Sequence, residues 1–195
     1  MAAALPIAES PRRTLGPRPA ATVERLLASA ESLLQTNPFS TVTMRTIAKN
    51  ADVSAATAYT YFTSKEHIVA ELLWRRLQKA NASERGGAND PVAQCTAVLS
   101  DFAMLVADEP HLARACSESL ISEDPDVHLV RDMIGTEMHR RLVAAAGDAG
   151  TPETIFTLEL VVSGALIRAG TGHAGYRAVP TQLATAVALI LKGPA

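Results

Sequence analysis

The chain has 195 residues, 48% of them hydrophobic, and a formal net charge of −2. It contains no run of roughly 18 apolar residues, which argues against a transmembrane helix, and its first residues lack the sustained apolar segment of a signal peptide. Cys95 and Cys116 are too few for a disulfide framework and have no metal-ligand spacing. We therefore expect a globular cytoplasmic protein that has no metal or other cofactor and does not bind membranes.

The charge is unevenly distributed along the chain. Residues 1–79 hold ten Lys or Arg and six Asp or Glu, a balance of +4, whereas residues 80–195 hold eight and fourteen, a balance of −6. A basic module joined to an acidic body is the distribution expected when only one end of a protein meets phosphates.

The N-terminal 19 residues contain four prolines and no helical periodicity, which predicts a disordered arm over residues 1–19. Its arginines either reach a DNA minor groove or only keep the arm soluble, and both interpretations stay open. From Thr22 to Thr36 apolar residues recur at helical spacing, and Asn37-Pro38 ends this predicted helix.

Two short helices separated by a turn are predicted between Thr43 and Lys65. The first has an apolar face that follows the i, i+3, i+4, i+7 rule and consists of Met44, Ile47, Ala48 and Ala51. Ser54 is a good N-cap for the second helix, whose Ala58 and Phe62 are expected on the buried side. The outward face would then consist of Thr57, Thr60 and Tyr61. Such a helix suits a groove of DNA better than a protein core.

A longer helix should follow from Ser64 to about Glu84, and Gly86 to Pro91 form the clearest break in the sequence. Beyond the break, Pro, Gly, Asp and Thr delimit helical segments at about 91–107, 110–120, 125–147, 152–170 and 180–192. No alternating strands with hairpin signals occur, so the predicted fold is all-α with about nine helices. The glycine-rich stretch from Gly170 to Gly175 is expected to be the loop between the last two helices.

The last two predicted helices are apolar around most of their circumference, which requires burial on several sides. A partner subunit can cover the second side, whereas a purely monomeric core is the alternative. The residues predicted to form a dimer interface are Phe156, Leu160, Val161, Gly164, Leu183, Val187 and Ile190.

No catalytic constellation emerges, because no histidine has H-E-x-x-H or equivalent spacing and no phosphate-binding loop follows a strand. The body is instead expected to hold an apolar small molecule between its helices. The residues predicted to line that pocket are Trp74, Phe102, Leu105, His111, Met133 and His139. A small-molecule carrier or enzyme whose N-terminal head mediates protein interaction remains the alternative to a ligand-responsive, DNA-binding repressor.

Over roughly residues 22–75, the chain resembles the TetR family of bacterial transcriptional regulators. The residues that carry the resemblance are the apolar first helix and the segments T-V-T-M-R-T-I-A-K-N-A-D-V-S and T-A-Y-T-Y-F-T-S-K-E-H-I. The resemblance implies a helix-turn-helix domain over residues 20–66 and a ligand-binding and dimerisation domain over 67–195. It also implies a homodimer whose last two helices form a four-helix bundle with the partner, and whose two heads bind a palindromic DNA operator.

The resemblance assigns DNA contacts to Thr43, Arg45, Thr57, Tyr59, Tyr61 and Lys65. Two alternatives stay open here: Tyr59 as an aromatic of the core, and Arg45 as a solvated or salt-bridged side chain. Ala55 and Ala56 depart from the family pattern, which commonly has a longer polar residue followed by glycine or proline. Base recognition at Ala55 would therefore rely on methyl contacts or on DNA shape.

Overall fold

The computed structural model describes residues 17–80 and 90–192. The first sixteen residues of the predicted arm, the predicted helix end near Glu84 and the glycines of the predicted break lie outside these ranges. Within them no strand occurs, and the all-α prediction is confirmed. In no described helix is an apolar stretch long enough to cross a membrane.

The N-terminal head and the helix that leaves it comprise α1 (Pro17–Thr36), α2 (Met44–Asn50), α3 (Ala55–Tyr61) and α4 (Lys65–Lys79). The remaining helices are α5 (Pro91–Met104), α6 (Pro110–Ser119), α7 (Pro125–Ala146), α8 (Pro152–Gly170) and α9 (Val179–Lys192). Short 3-10 turns occur at Phe39–Thr41, Gly147–Ala149 and Tyr176–Ala178. The loop predicted between the last two helices is present between α8 and α9.

Several helices begin with a proline, which needs no hydrogen-bond partner in the first turn and already has a helical φ angle. Asp90 and Asp124 precede Pro91 and Pro125, and their carboxylates accept hydrogen bonds from the first-turn amides. The same rule explains why α1 begins at Pro17 and not near Thr22 as predicted. Prolines 17 and 19 fall in the first turn of the helix, so residues 17–19 of the predicted arm are helical.

The head is a small core of α1, α2 and α3 closed by the start of α4. Leu26, Ile47, Ala58 and Ile68 are completely buried in it. The turn between α2 and α3 depends on Asp52, whose φ of 53° lies in the left-handed region that Asp tolerates better than most residues. Val53 then donates to the carbonyl of Ala48 at 3.0 Å, which closes the turn and sets the direction of α3.

In the body, α4 packs against α6 and α7, α5 packs against α7 and α9, and α8 packs against α9. Arg76 of α4 ties three segments together, because it forms ion pairs with Glu31 of α1 and Glu109 and donates to the carbonyl of Leu105 at 2.8 Å. Arg141 of α7 donates to the carbonyls of Leu77 and Ala80 at 2.8 and 3.0 Å, and so caps the C-terminal end of α4.

Candidate DNA-binding face and body cavity

The exposed surface of α3 carries Ala56, Tyr59 and Thr60, whereas Ala58 faces the core. Tyr59 is 56% exposed, so it belongs to the surface and not to the core of the head. A large aromatic side chain that projects from a short helix provides both a hydrogen-bonding hydroxyl and an apolar ring. Both groups can contact phosphates, sugars or base edges.

The surface beside α3 is cationic. Arg45 and Lys49 of α2 are exposed and line one groove together with Asp52, Ser54 and Ala55. Sequence reasoning selected Arg45 but missed Lys49, although Lys49 follows Arg45 by four residues and must therefore lie on the same side of α2. Because this side of α2 carries two cations, it can bind the phosphates that flank a DNA groove.

The predicted hydroxyl contacts of Thr43 and Thr57 already have partners within the chain. Thr43 is the N-cap of α2, and its side chain accepts from the amide of Thr46 at 3.1 Å. The hydroxyls of Thr57 and Ser54 share a hydrogen bond of 2.8 Å at the start of α3. Both threonines therefore stabilise helix ends, and a phosphate would use only the hydrogen-bonding capacity that remains.

Tyr61 and Lys65 lie differently from what the sequence suggested. Tyr61 was expected to face outward, but it is half-buried and packs against the core, because it follows the buried Ala58 by three residues on the same helix face. The Lys65 ammonium donates to the carbonyls of Phe39 and Val42 at 2.8 and 3.1 Å and lies 4.0 Å from the centre of the Phe39 ring. Lys65 thus holds the turn before α2 to the start of α4.

A cavity of about 840 Å³ lies in the body between α4, α5, α6, α7 and α8. Its wall is mainly apolar and includes Leu73, Phe102, Val106, Ile134, Met138, Val162 and Leu166. Polar groups are contributed by Ser117, Arg131, Asp132, His139, Glu159 and Tyr176, among others. This volume and composition suit a small molecule that is mostly apolar.

Of the six residues predicted to line the pocket, Phe102 and His139 do so. The residues that lie outside the lining are Trp74, Leu105, His111 and Met133. Helix rotation explains the difference, since each residue turns the side chain by about 100° and adjacent residues face different directions. Leu73 therefore lines the cavity whereas Trp74 does not, and Asp132 and Ile134 line it whereas Met133 does not.

Two side-chain pairs provide hydrogen-bonding groups at the wall. The hydroxyls of Ser117 and Tyr176 lie 2.8 Å apart, and a Cβ atom at Gly170 would approach the Ser117 oxygen to 3.0 Å. Nδ1 of His139 lies 2.8 Å from Oε1 of Glu159.

Cys116 also lines the cavity, but burial raises the pKa of its thiol to about 12, so it is uncharged at neutral pH. Among the residues with described positions, no group of three His, Cys, Asp or Glu could hold a metal ion.

The predicted dimer residues divide into two groups. Phe156 and Leu160 of α8 are 60% and 55% exposed, and Gly164 next to them is open to solvent. Leu183 and Val187 of α9, in contrast, are completely buried in the core of the same chain. Their role in an interface is therefore not supported, because α9 turns this face toward α5 and α8.

On α9 Leu189 is exposed and Ile190 is half-buried, and on α8 Val161 is also half-buried. We call these apolar residues of the two packed helices, together with Phe156 and Leu160, the α8–α9 face. Clusters of exposed apolar side chains, in contrast to single ones, mark interaction surfaces.

Comparison with known proteins agrees with this arrangement. The family model described as bacterial regulatory proteins, tetR family, matches residues 26–72. An uncharacterized HTH-type transcriptional regulator of Mycobacterium tuberculosis is 38% identical over 178 residues, which cover 90% of this chain and 83% of the relative. The HTH-type transcriptional repressor KstR of Rhodococcus jostii is 25% identical over 141 residues, covering 72% of this chain and 66% of KstR.

Solved structures show the same fold. The crystal structure of a TetR transcriptional regulator from a Rhodococcus species has a TM-score of 0.74 at 21% identity and covers 91% of this chain and 100% of that one. FadR of Thermus thermophilus in complex with lauroyl-CoA has a TM-score of 0.64 at 21% identity and covers 89% and 95%.

Proposed function

Because this chain belongs to the TetR family of bacterial transcriptional regulators, we propose that it is a cytoplasmic, dimeric repressor. In this proposal residues 20–66 bind a palindromic DNA operator. The body is formed by residues 67–195, and an apolar small molecule that enters it releases the protein from the operator. The observation that carries the proposal is the combination of a cationic α2 and an outward-facing α3 in the same head.

The head supports DNA binding through phosphate contacts and a limited set of base contacts. Arg45 and Lys49 supply charge on one side of α3, and Tyr59 and Thr60 supply hydrogen-bonding groups on its exposed face. Ala55 and Ala56 are short, so sequence recognition depends on methyl contacts and DNA shape as well as on Arg45 and Tyr59.

The α8–α9 face supports the dimer. Pairing this face with that of a second copy would bury Phe156, Leu160 and Leu189 and place two heads on one DNA molecule. The two α3 helices must then lie about 34 to 36 Å apart to enter successive major grooves. A palindromic operator follows from the two-fold symmetry of such a dimer.

The cavity supports ligand control because α4 reaches both sites. Leu73 of α4 lines the cavity, while the ammonium of Lys65 at the start of the helix donates to the carbonyls of Phe39 and Val42 in the head. A ligand that displaces α4 would change the separation of the two α3 helices. Two similar structures are complexes with long-chain ligands, Thermus thermophilus FadR with lauroyl-CoA and Bacillus subtilis FadR with stearoyl-CoA, so this fold accommodates an elongated apolar group.

The test is a titration of the full-length chain onto labelled DNA from upstream of its own coding sequence, at several salt concentrations. We expect Tyr59→Ala to weaken binding by about tenfold without changing the melting temperature, and Lys49→Gln to lower the slope of log affinity against log salt by about one. Gln78→Ala is the control, since Gln78 is exposed near the far end of α4.

Two results would contradict the proposal. One is binding that is absent or insensitive to salt. The other is operator affinity that survives both Tyr59→Ala and Lys49→Gln unchanged, which would place the DNA-binding face elsewhere and favour a carrier or protein-interaction role for this chain.

A further inference from the structure

We propose that the molecule bound in the body cavity carries an anionic head group, and that Arg131 binds this group. The inference deepens the proposed function and rests on it, because it specifies the chemical class of the effector. The ligand class would then be an amphiphile with an apolar body and a carboxylate, phosphate or similar oxyanion at one end.

Arg131 differs from the other half-buried arginines of the described chain. Arg75 pairs with Glu71 and Glu24, Arg76 with Glu31 and Glu109, and Arg141 with Glu137. Arg131 is also half-buried, yet within residues 17–80 and 90–192 no carboxylate lies in ion-pair distance of its guanidinium. A partly buried cation without a counter-ion is costly, and a ligand anion would offset that cost.

The guanidinium of Arg131 has a defined position and unused hydrogen-bonding capacity. Its Nη1 donates to the carbonyl of Leu120 at the end of α6, at 3.0 Å. This bond uses one of the five N–H donors of an arginine, and the remaining donors can bind an oxyanion in a bidentate manner. A helix C-terminus also favours the positive charge, so the arginine is held beside the cavity before any ligand arrives.

The other charged groups of the lining define the orientation of the ligand. Glu159 already pairs with His139. His139 lies eight residues beyond Arg131 on α7 and therefore roughly 12 Å further along the helix axis. Asp132 is exposed, so water screens its charge more than that of a buried group. The oxyanion would therefore lie at the Arg131 end, and the apolar body would extend along the wall that contains Phe102, Ile134 and Met138.

A matched pair of probes tests this inference: decanoate and 1-decanol, which have the same chain length and differ in charge. Binding to the full-length chain can be followed by calorimetry and by the fluorescence of Trp74, the only tryptophan, which is buried and follows the cavity residue Leu73. We expect decanoate to bind at least tenfold more tightly than decanol. Arg131→Gln should weaken decanoate binding by about 10- to 100-fold and change decanol binding by less than about twofold.

Two further variants separate charge from structure. Arg131→Lys should retain a preference for decanoate, and Arg140→Gln should leave both affinities unchanged, because Arg140 is an exposed arginine of α7 outside the lining. Circular dichroism and the molecular mass in solution show whether Arg131→Gln keeps its fold. Failure of decanoate to bind, equal affinities for the two probes, or an Arg131→Gln variant that still prefers decanoate would each overturn the inference.

The inference and the proposed function fail in different ways. If decanoate binds through Arg131 but leaves operator affinity unchanged, head-group recognition holds and ligand control of DNA binding is wrong. If the chain binds its upstream DNA and decanoate binds without dependence on Arg131, DNA binding holds and the charge-specific inference is wrong.

Discussion

The hydroxyl of Ser64 donates a hydrogen bond to Oδ2 of Asp124, which lies sixty residues further along the chain. The hydroxyl of Thr63 donates to the same oxygen at 2.8 Å. Ser64 is the N-cap of α4 and Asp124 is the N-cap of α7, so one carboxylate joins the start of the two helices. Arg141 joins α7 to the other end of α4. The helix that lines much of the cavity is thereby attached to both ends of the helix that leaves the head.

This attachment predicts that Asp124→Asn loosens the head from the body. Burial acts to raise the pKa of Asp124, but the hydrogen bonds from Ser64 and Thr63 outweigh it, and the pKa lies below its ordinary value. The ionised form is therefore the stabilising one at neutral pH, and its contribution is lost as the pH falls through the folded-state pKa. We expect Asp124→Asn to lower the free energy of unfolding by about 1 to 2 kcal/mol in urea denaturation at pH 7.

The same variant should also reduce the effect of a cavity ligand on operator affinity, because α7, which lines much of the cavity, would be held less firmly to the start of α4. The matched control is Glu123→Gln, which removes an exposed neighbouring carboxylate. If Asp124→Asn changes neither the free energy of unfolding nor the effect of the ligand on operator affinity, the hydrogen bond between Ser64 and Asp124 neither stabilises the fold nor couples the cavity to the head.

Lys65 gives a prediction that separates a structural role from DNA binding. A lysine in the first turn of a helix opposes the helix dipole, and here the carbonyls of Phe39 and Val42 and the Phe39 ring offset that cost. Replacing Lys65 by methionine should lower the free energy of unfolding by about 1 to 3 kcal/mol, because it removes the ammonium donor that the carbonyls of Phe39 and Val42 share. Thermal and urea denaturation measure the change.

The control is Lys79→Met at the exposed far end of α4, for which we expect a loss of less than about 1 kcal/mol. If Lys65→Met melts like the unmodified chain but loses DNA affinity, the residue is a phosphate contact, as the family resemblance implied, and its hydrogen bonds to the turn are incidental.

These cases show what the sequence could and could not predict. The helices of the head and body follow from apolar periodicity and from punctuation by Pro, Asp and Ser, and their predicted positions agree closely with the structure. The start of α1 was misplaced because a proline that ends one helix can begin another, and the local sequence around Pro17 does not distinguish the two roles.

Side-chain partners could not be predicted in the same way. Lys65 meets Phe39 and Val42, which lie more than twenty residues earlier, and Arg131 meets Leu120 across a loop. For the cavity, the sequence predicts contributions from α4, α5, α6 and α7 but not from α8, which also lines it, and it favours large apolar residues such as Trp74 and Met133, which lie outside the lining. Which face of a helix turns toward a cavity depends on how its neighbours pack, and that information is not local.

The two groups of dimer residues predict opposite outcomes for substitutions on neighbouring helices. Phe156→Ala should leave the melting temperature of the monomer nearly unchanged and weaken dimerisation, because Phe156 is 60% exposed. Leu183→Ala should destabilise the fold itself by about 2 to 5 kcal/mol, since it opens a hole in a closely packed core. Light scattering after size-exclusion chromatography measures the mass, and urea denaturation measures the stability.

Leu160→Ala serves as a second variant of the α8–α9 face and should act like Phe156→Ala. A Phe156→Ala protein that remains fully dimeric at low concentration, together with a Leu160→Ala protein that does the same, would place the dimer contact on another surface of the body.

The stability that Glu137 contributes should depend on pH. Its carboxylate accepts two hydrogen bonds from Arg140, at 2.7 and 2.8 Å, and one from Arg141 at 2.7 Å. The hydrogen bonds from Arg140 and then Arg141 lower the pKa of Glu137 to about 2, against an opposing effect of burial. Since the folded-state pKa is depressed, the stabilisation is complete at neutral pH and is lost as the pH falls from about 4.5 toward 2.

Glu137→Gln should therefore lower the free energy of unfolding by roughly 1 to 3 kcal/mol at pH 7, a range that allows for the solvent exposure of Arg140. The difference from the unmodified chain should shrink as the pH is lowered, because the unmodified carboxyl becomes neutral as well. Part of the loss would come from Arg141, which Glu137 holds in position to cap the end of α4.

The control for this experiment is Glu118→Gln, which removes a carboxylate that pairs with Arg114 on the exposed surface of α6. Solvent screens such an exposed pair, so its removal should have little effect at any pH. Urea denaturation between pH 3.5 and pH 7 measures both variants. A Glu137→Gln deficit that stays constant across this range would show that the ionised carboxylate is not what stabilises the junction between α7 and α4.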